Sequence, residues 1–337
     1  MKKLSFGNKV IYFLNSIFAV LLLLSYLIPF IKPSYLPAIS TLSLLVPVLL
    51  IINLLFFFYW LVGLKKQMLL SLLCLLLGFN YATSFYKFQS KEIISNTKIN
   101  LMSYNVRLFN IYNWIDDNQI KNKILNFVQQ ENPDVLCLQE YHPQERLEKA
   151  YPYRYEDFTD TKNKSGLVIF SKYKIINKGA LRFNNSSNSS IYIDIVKKRD
   201  TLRIYNVHLE SLHINPDKEN LSKDNSQRLL KRIGKTFSKQ QEQVLTIKNN
   251  IEQTAYKKIL CGDFNNTAFS WAYRNLKLGF NDSFSEAGSG FGTTYNFKHL
   301  PIRIDFILTD KTLKVLRFKN YRVKYSDHYP ILSTIEF

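Results

Sequence analysis

The first 87 residues constrain this chain most, because they contain seven Lys but no Asp or Glu. Three long apolar runs fill most of this segment, at about residues 10–31, 39–64 and 68–85. Each run is close to the ~20 apolar residues that a helix needs to cross a bilayer. The first run is too long for a cleaved signal peptide and is followed by two more. The sequence therefore predicts that residues 1–87 form a membrane anchor with three transmembrane helices.

The lysines of this segment predict its orientation. Three lysines within residues 2–9 precede the first run, and Lys65 and Lys66 separate the second run from the third, whereas only Lys32 lies between the first and the second. Lysines near membrane spans are enriched on the cytoplasmic side, so the N-terminus is predicted to be cytoplasmic. Three crossings then place the rest of this multi-pass protein on the outer side, periplasmic or extracellular. A third run that does not cross would reverse this result.

The remainder of the chain has the composition of a soluble domain. It contains all 26 Asp and Glu, and residues 88–337 carry a formal charge of about +12. After a linker over residues 88–97, strand-like segments recur with a few helical patterns between them, including a Lys- and Gln-rich helix over about residues 226–254. About 250 residues suffice for one large core. We therefore expect a single layered α/β domain over residues 98–337.

Polar residues suited to chemistry stand where several predicted strands end. Each has a structural alternative, such as a turn, a helix cap, a solvated edge, a buried histidine or, for Asp305, an ion pair with Arg303. Strand ends converge at one edge of a sheet, so a whole set of such residues favours a functional site. The residues are Asn105, Glu140, His208, Asp263, Asn265, Asp305, Asp327 and His328.

The segments around these residues resemble the endonuclease/exonuclease/phosphatase superfamily, which includes deoxyribonuclease I, abasic-site endonucleases, neutral sphingomyelinases and inositol phosphatases. The similar segments are "MSYNVRLF", "LCLQE", "SGLVIFSK", "NVHLES", "CGDFN", "GTTYNF…RIDFIL" and "SDHYP", in the family's order. The similarity covers about residues 98–337. It implies a four-layer α/β sandwich like that of deoxyribonuclease I, here preceded by three transmembrane helices, and metal-dependent hydrolysis of phosphate esters.

The resemblance also implies a divalent cation, Mg²⁺ with Mn²⁺ as the alternative. A hard cation prefers carboxylate and amide oxygens. Glu140 is the predicted metal ligand, and Asn105 completes or orients its surroundings. Asp327 is expected to assist the metal or to orient the catalytic base.

The catalytic roles are assigned in the same way. His328 resembles the family's general base, which removes a proton from the attacking water, and Asp305 is expected to hold its imidazole. Asp263 is expected to position the nucleophile or to manage a proton at the leaving group. Asn265 is expected to donate to a non-bridging phosphate oxygen. His208 matches a histidine that contacts the phosphate in the deoxyribonuclease-like branch.

One position departs from the family pattern. Some nuclease branches have an acid two residues after the Asn of the first motif, where this chain has Arg107. Two interpretations are equally open: Arg107 contacts a substrate phosphate, or it pairs with a nearby acid.

Three functions remain open at this point. The leading expectation is a membrane-anchored phosphodiesterase with nuclease activity as the default. The second is a sphingomyelinase-like phosphodiesterase acting on phospholipid headgroups. The third is a non-catalytic, membrane-tethered binding protein, which the complete set of predicted catalytic residues disfavours. The positive charge does not choose between the substrates, since it attracts nucleic acid and anionic lipid alike.

Overall fold

The computed structural model describes residues 4–88, 93, 95, 97–160, 162, 164–197, 200–212, 214, 223–297 and 300–336. Part of the predicted linker over residues 88–97 lies outside these residues. The described chain forms an apolar helical unit (residues 4–88) and an α/β domain (residues 97–336). The helices are α1 (Phe6–Leu27), α2 (Pro37–Ser40), α3 (Val46–Val62), α4 (Met68–Leu77), α5 (Phe79–Phe85), α6 (Ile120–Glu131), α7 (Glu145–Ala150), α8 (Lys223–Glu252), α9 (Trp271–Lys277) and α10 (Ser283–Ala287).

Fourteen strands build the sheets of the α/β domain in its described residues. They are β1 (Lys98–Asn105), β2 (Val135–Tyr141), β3 (Tyr153–Asp160), β4 (Ser165–Ser171), β5 (Ile175–Arg182), β6 (Ser189–Lys197), β7 (Asp200–His208), β8 (Lys257–Asp263), β9 (Phe280–Asp282), β10 (Tyr295–Phe297), β11 (Leu300–Ile302), β12 (Asp305–Asp310), β13 (Lys314–Asn320) and β14 (Ile331–Glu336). One six-stranded sheet has the order β13-β14-β1-β2-β4-β3, and the other has the order β5-β6-β7-β8-β12-β9. Strands β10 and β11 form a separate hairpin.

The two sheets pack face to face, with helices on their outer faces. Apolar residues of both sheets, such as Leu101 and Ile259, form the core between them. Helix α6 covers the first sheet, and helices α8 and α9 cover the second. Central strands are buried on both faces, which explains their nearly continuous apolar sequences. The predicted four-layer α/β sandwich is confirmed.

Strand register brings the predicted polar residues to one edge. Strands β1 and β2 are parallel, and Asn105 lies opposite Gln139 at their ends. Strands β7 and β8 are also parallel, and His208 lies opposite Asp263. On the other side of β8, the antiparallel strand β12 places Asp305 opposite Asp263. A row of three ionisable side chains therefore crosses the second sheet.

Gly262 explains why "CGDF" can continue the strand up to Asp263. Its φ of +136° is a conformation that residues with a side chain rarely adopt. A Cβ atom at this position would lie 2.0 Å from the carbonyl oxygen of Val207 in β7. The glycine thus permits the close approach of β7 and β8 that sets His208 beside Asp263.

The helical unit agrees with the predicted runs in two cases and differs in the third. The segments Phe6–Phe30 and Pro37–Val62 are long and apolar enough to cross a membrane. The third run is not one continuous helix, because α4 and α5 meet at 72° beside Gly78. Tyr26 occupies the space that a side chain at this glycine would need. The described part of the chain therefore has two such helices, or three if the bent pair forms one span.

Polar contacts inside the helical unit hold its helices together. Asn15 of α1 donates to Ser71 Oγ of α4 at 2.7 Å and accepts from Trp60 Nε1 of α3 at 3.1 Å. These side chains are buried, and small polar residues often join apolar helices in this way. Tyr59 also donates to Asn8 at 2.8 Å, so α3 ends where α1 begins.

The opposite end of the helical unit packs against the α/β domain. The Ser34 N–H donates to Gln241 of α8 at 3.0 Å. Arg303 joins both parts, since it donates to the Ser84 carbonyl at 3.2 Å and to Asp282 at 2.7 Å. Phe269 of the α/β domain lies in the apolar cluster of the helical unit. The two parts therefore share a packed interface.

Replacing Gly262 by alanine is expected to destabilise the protein by more than about 2 kcal/mol, because strain and a backbone clash act together. The thermal unfolding midpoint of the full-length protein in detergent should fall by at least ~5 °C. Gly279→Ala is the matched control, since Gly279 has a φ of +90° but no neighbour within 4 Å. Its loss should be smaller, about 1 kcal/mol. Equal losses in the two variants would refute the role of the close strand approach.

Candidate active site

Asp263 is the centre of a buried cluster at the edge where β1, β2, β7 and β8 end. Its Oδ2 lies 3.1 Å from Asn105 Nδ2 and 3.6 Å from Nε2 of both His208 and His328. Its Oδ1 accepts a hydrogen bond from the Asn265 N–H at 2.8 Å. Asp263 is only 1% exposed. Residues from both sheets that the sequence analysis predicted as a set therefore surround one carboxylate.

His328 and Asp305 form a hydrogen-bonded pair. The imidazole Nδ1 lies 2.9 Å from Asp305 Oδ2, which leaves Nε2 directed towards Asp263. The backbone N–H of Asp305 donates to Thr294 Oγ1 and fixes the end of β12. The alternative pairing of Asp305 with Arg303 does not occur, because Arg303 binds Asp282. The geometry of a histidine oriented by a carboxylate is thus present.

Burial and charge shift the ionisation of this cluster. Burial, together with the charge of Asp305, raises the pKa of Asp263 to about 6, although the nearby histidines oppose the shift. Burial alone would lower the pKa of His328, but the charges of Asp305 and Asp263 raise it well above its ordinary value. The surroundings therefore stabilise an imidazolium and keep a carboxyl group that can exchange a proton near neutrality.

Glu140 is held beside this cluster by an unusual backbone conformation. Its φ is +49°, and its Oε1 accepts a hydrogen bond from Asn105 Nδ2 at 3.2 Å. Burial raises the pKa of Glu140, and the charge of Asp327 adds to the effect. The side-chain oxygen Oδ1 of Asn105 accepts the Arg107 N–H at 3.1 Å, which fixes the amide so that its Nδ2 orients Glu140.

The donors at this edge fit a hard divalent cation. Glu140 and Asp327 line the same cavity and offer carboxylate oxygens, the ligand type that such a cation prefers. Potential ligand atoms of Asp263, Asp305 and His328 also lie within 4.8 Å of one another. Two of these three are already joined by the hydrogen bond between His328 and Asp305. Glu140 with Asp327 is therefore the better match for a cation that prefers oxygen ligands.

Arg107 pairs with a nearby acid, and its predicted contact with a substrate phosphate stays a prediction. Its Nη1 lies 3.3 Å from Asp327 Oδ2, and its guanidinium stacks on Trp114 at 4.6 Å. It begins a run of left-handed residues, Arg107 to Asn110, with φ between 42° and 63°. Such strained turns are frequent at functional sites. Arg107 thus anchors Asp327 beside Glu140.

Asn265 is partly engaged in holding the loop after β8. Its Nδ2 donates to the Leu209 carbonyl at 2.9 Å, and its φ is +48°. A side-chain amide has two N–H donors, so one remains for a ligand. The predicted contact of Asn265 with a phosphate oxygen stays a prediction.

Sequence reasoning missed a polar network beneath the cluster. Gln139 Nε2 donates to Asn206 Oδ1 at 2.6 Å, and Asn206 donates to the carbonyls of Leu138 and Val168. This network ties β7 to the first sheet just below the catalytic edge. The signal was present in "LCLQE" and "IYNVH", where an amide side chain interrupts an otherwise apolar strand.

Tyr295 and Ser326 are two further residues that the sequence analysis did not single out. The Tyr295 ring lies 4.9 Å from the His328 ring, and burial raises its pKa to about 12, which keeps the phenol protonated. Ser326 donates to the Asn105 carbonyl at 2.9 Å and accepts from the His328 N–H. Tyr295 lies in the "GTTYNF" segment of the family resemblance, but its position in the sequence did not indicate that it contacts His328.

The cluster opens into a cavity of about 330 Å³. Glu140, Asp263, Asn265, Asp327 and His328 form its polar floor. Ser211, Leu212 and Ile214 also line the cavity, and residues 213 and 215–222 of the same segment lie outside the described residues.

Solved structures share this fold at low sequence identity. The catalytic domain of human Nocturnin with bound sulfate is 17% identical over 76% of this chain and 98% of its own, with a TM-score of 0.56. An endonuclease/exonuclease/phosphatase from Bacteroides vulgatus is 18% identical over 72% and 100%, with a TM-score of 0.56. D. rerio TDP2 complexed with single-strand DNA product is 17% identical over 72% and 100%, with a TM-score of 0.54.

Two family models match the chain, one within the helical unit and the other within the α/β domain. Residues 8–85 match a domain of unknown function, DUF8431. A comparison with curated proteins gives no match. Residues 102–328, about two thirds of the chain, match the sequence model of the Endonuclease/Exonuclease/phosphatase family. This match shows that the chain belongs to the Endonuclease/Exonuclease/phosphatase family of phosphodiesterase- and nuclease-type hydrolases.

Proposed function

We propose that this protein is a membrane-anchored, divalent-metal-dependent phosphodiester hydrolase. The observation that carries the proposal is the meeting of the His328–Asp305 pair, Asp263 and Glu140 at one sheet edge. A phosphodiester resists attack by water until its charge is neutralised, a proton is removed from the water and the leaving oxygen is stabilised. The described cluster offers a group for each requirement.

His328 acts as the general base in this proposal whenever its imidazole is neutral, although the charges of Asp305 and Asp263 favour the imidazolium. Asp305 holds Nδ1 at 2.9 Å and stabilises the imidazolium that forms when Nε2 takes the proton of the attacking water. Asp263 faces Nε2 at 3.6 Å, and its pKa of about 6 suits a group that passes a proton to the leaving oxygen. His208, whose Nε2 lies 3.6 Å from Asp263 Oδ2, contacts the phosphate in this proposal.

Glu140 and Asp327 would hold the cation, with Asn105 and Arg107 orienting the two carboxylates. When bound, the cation supplies positive charge that neutralises a phosphate oxygen and the developing charge on the leaving group. The remaining N–H of Asn265 and the phenol of Tyr295 are donors for the other phosphate oxygens. The roles of Glu140, Asp327, Asn105 and Asn265 are those that the family resemblance implied, whereas the roles of Arg107 and Tyr295 are new to this proposal.

Membrane anchoring is supported by the two apolar helices and by the polar contacts that join three helices. The Tyr59–Asn8 contact places the beginning of α1 at the end of the bundle where the Lys65 and Lys66 turn follows α3. The α/β domain packs at the opposite end. If the lysine-bearing end faces the cytoplasm, the catalytic domain lies outside it.

Catalysis is favoured over a purely binding role, because the described cluster retains a base, its orienting acid and metal-binding carboxylates together. The DNA complex of TDP2 supports the default expectation of nuclease activity, and the membrane anchor supports the phospholipid alternative. Both substrate classes present the same reacting group, so the hydrolytic chemistry is common to them.

Hydrolysis of methyl p-nitrophenyl phosphate by the full-length protein should require Mg²⁺ or Mn²⁺ and stop when the metal is chelated. Glu140→Gln and His328→Ala should each lower kcat/KM by at least ~100-fold, since one removes a carboxylate ligand and the other the base. Glu145→Gln is the control for the acid, because Glu145 is exposed on α7. Undiminished activity in the two site variants would contradict the proposed roles.

The topology predicts opposite results for two pairs of reporter fusions in a bacterial host. Alkaline phosphatase fused after residue 337 should be active and a green fluorescent protein there dark, because the catalytic domain is outside the cytoplasm. Fusions after Lys66 should give the reverse pattern. A fluorescent C-terminal fusion would place the catalytic domain in the cytoplasm and overturn the assignment.

A further inference from the structure

The helical unit forms part of the wall of the active-site cavity. Besides the polar residues, the cavity is lined by Leu44 and Leu45, just before α3, and by Pro47 and Val48 in its first turn. Phe85 at the end of α5 lines it as well. These residues belong to the apolar segments that the proposed function places in or beside the membrane. The proposed catalytic residues and the helical unit thus line one cavity.

The apolar wall continues along the outer face of α3. Leu45 at the cavity is 50% exposed. Ile51 and Leu55, three and seven residues after Val48, project from the same side of the helix and are 41% and 64% exposed. An alkyl chain that leaves the cavity beside Val48 would therefore meet a continuous apolar surface that leads along the predicted transmembrane helix.

The charge of the lining argues against a polyanion. Proteins that hold single-stranded nucleic acid place Lys and Arg along the backbone of the strand. Among the described residues that line this cavity, Arg303 is the only Lys or Arg, although the chain has 45 such residues. The Arg303 guanidinium is buried and bound to Asp282. The described lining of the cavity therefore offers no unpaired Lys or Arg to the backbone of a nucleic acid.

From these observations we infer that the substrate is a phospholipid whose phosphodiester reaches the polar floor while an acyl chain lies along Leu45, Val48 and the α3 face. This inference rests on the proposed hydrolase function and names its substrate class. The anchor residues then have a second role, since they contact the substrate and select for a long chain. A cavity of about 330 Å³ holds the headgroup region only, so the chains remain in the bilayer.

The reaction is a hydrolysis and needs no further reactant. The oxygen of water forms a new bond to phosphorus as one P–O ester bond breaks. His328 receives the proton of the water, and the leaving alkoxide receives a proton and departs as an alcohol. The other product is a phosphate monoester.

Two synthetic diesters that share the p-nitrophenyl leaving group test the inference. One carries a methyl group and the other a dodecyl chain, and both are offered to the full-length protein in phosphatidylglycerol nanodiscs with Mg²⁺. The kcat/KM ratio of dodecyl to methyl substrate should be at least ~100, because several methylene groups lie on the apolar wall. Single-stranded DNA and the phosphatidylglycerol itself are parallel substrates.

Wall variants separate recognition from simple partitioning into the nanodisc. Leu45→Ser should lower the dodecyl-to-methyl ratio about tenfold. Leu24→Ser is the matched control, since Leu24 is 48% exposed on α1, away from the α3 face, and does not line the cavity. The dodecyl-to-methyl ratio of this control should equal that of the wild type, because the dodecyl substrate partitions equally into nanodiscs that hold either protein.

The outcomes distinguish the inference from the function on which it rests. Hydrolysis of phosphatidylglycerol together with a ratio sensitive to Leu45 supports the inference. Equal turnover of the two diesters, or faster turnover of DNA, overturns the lipid assignment and leaves the hydrolase standing. Failure to hydrolyse any of the substrates with Mg²⁺ or Mn²⁺ contradicts the hydrolase function and the inference together.

Discussion

The contacts of Asp263 are the interactions on which the rest of the site depends. Two carboxylates, Asp263 and Asp305, are almost fully buried opposite each other, which is unfavourable without compensating partners. His328 contacts both carboxylates, and its imidazolium form compensates their negative charge. Asn105 donates a hydrogen bond to Asp263 from the other sheet. The sheets must therefore meet at this edge with their registers correct before the charges are compensated. The pairing of the two sheets and the geometry of the site therefore both depend on the contacts of Asp263.

The same edge also connects the catalytic domain to the helical unit. Arg303 is two residues before Asp305, and its guanidinium reaches the Ser84 carbonyl while bound to Asp282. Thr267 follows the "GDFN" loop and donates to the Ser43 carbonyl at 3.4 Å. Segments on both sides of the catalytic strands therefore contact the apolar helices. This arrangement explains how a helical unit with no acidic residue comes to complete an acidic active site.

Local sequence patterns predicted much of this structure. The continuous apolar strands and the polar residues at their ends indicated a layered α/β domain with a site at one edge. Strand ends meet wherever parallel strands such as β1 and β2 are paired, which is why Asn105 and Glu140 could be grouped without knowledge of the fold. The roles of individual residues came from the family resemblance and not from the pattern.

The remaining features depend on contacts between distant parts of the chain, which local patterns do not encode. The break at Gly78 reflects the Tyr26 side chain, 52 positions earlier. Arg303 binds Asp282 and not Asp305, because the side chain of Asp305 is directed to His328. Likewise, the net charge of +19 gave no indication that Lys is absent from the described lining of the cavity.

The central claim is that the helical unit and the catalytic domain form one composite site, and a photocrosslink in native membranes tests it most directly. A benzophenone amino acid in place of the exposed Ser34 should attach within the same chain to the part of α8 around Gln241, whose side chain accepts the Ser34 N–H. Peptide mapping that recovers this intrachain product would place the catalytic domain against the apolar helices. Crosslinks that join Ser34 only to lipid or to other proteins, in a chain with wild-type activity, would contradict the composite site.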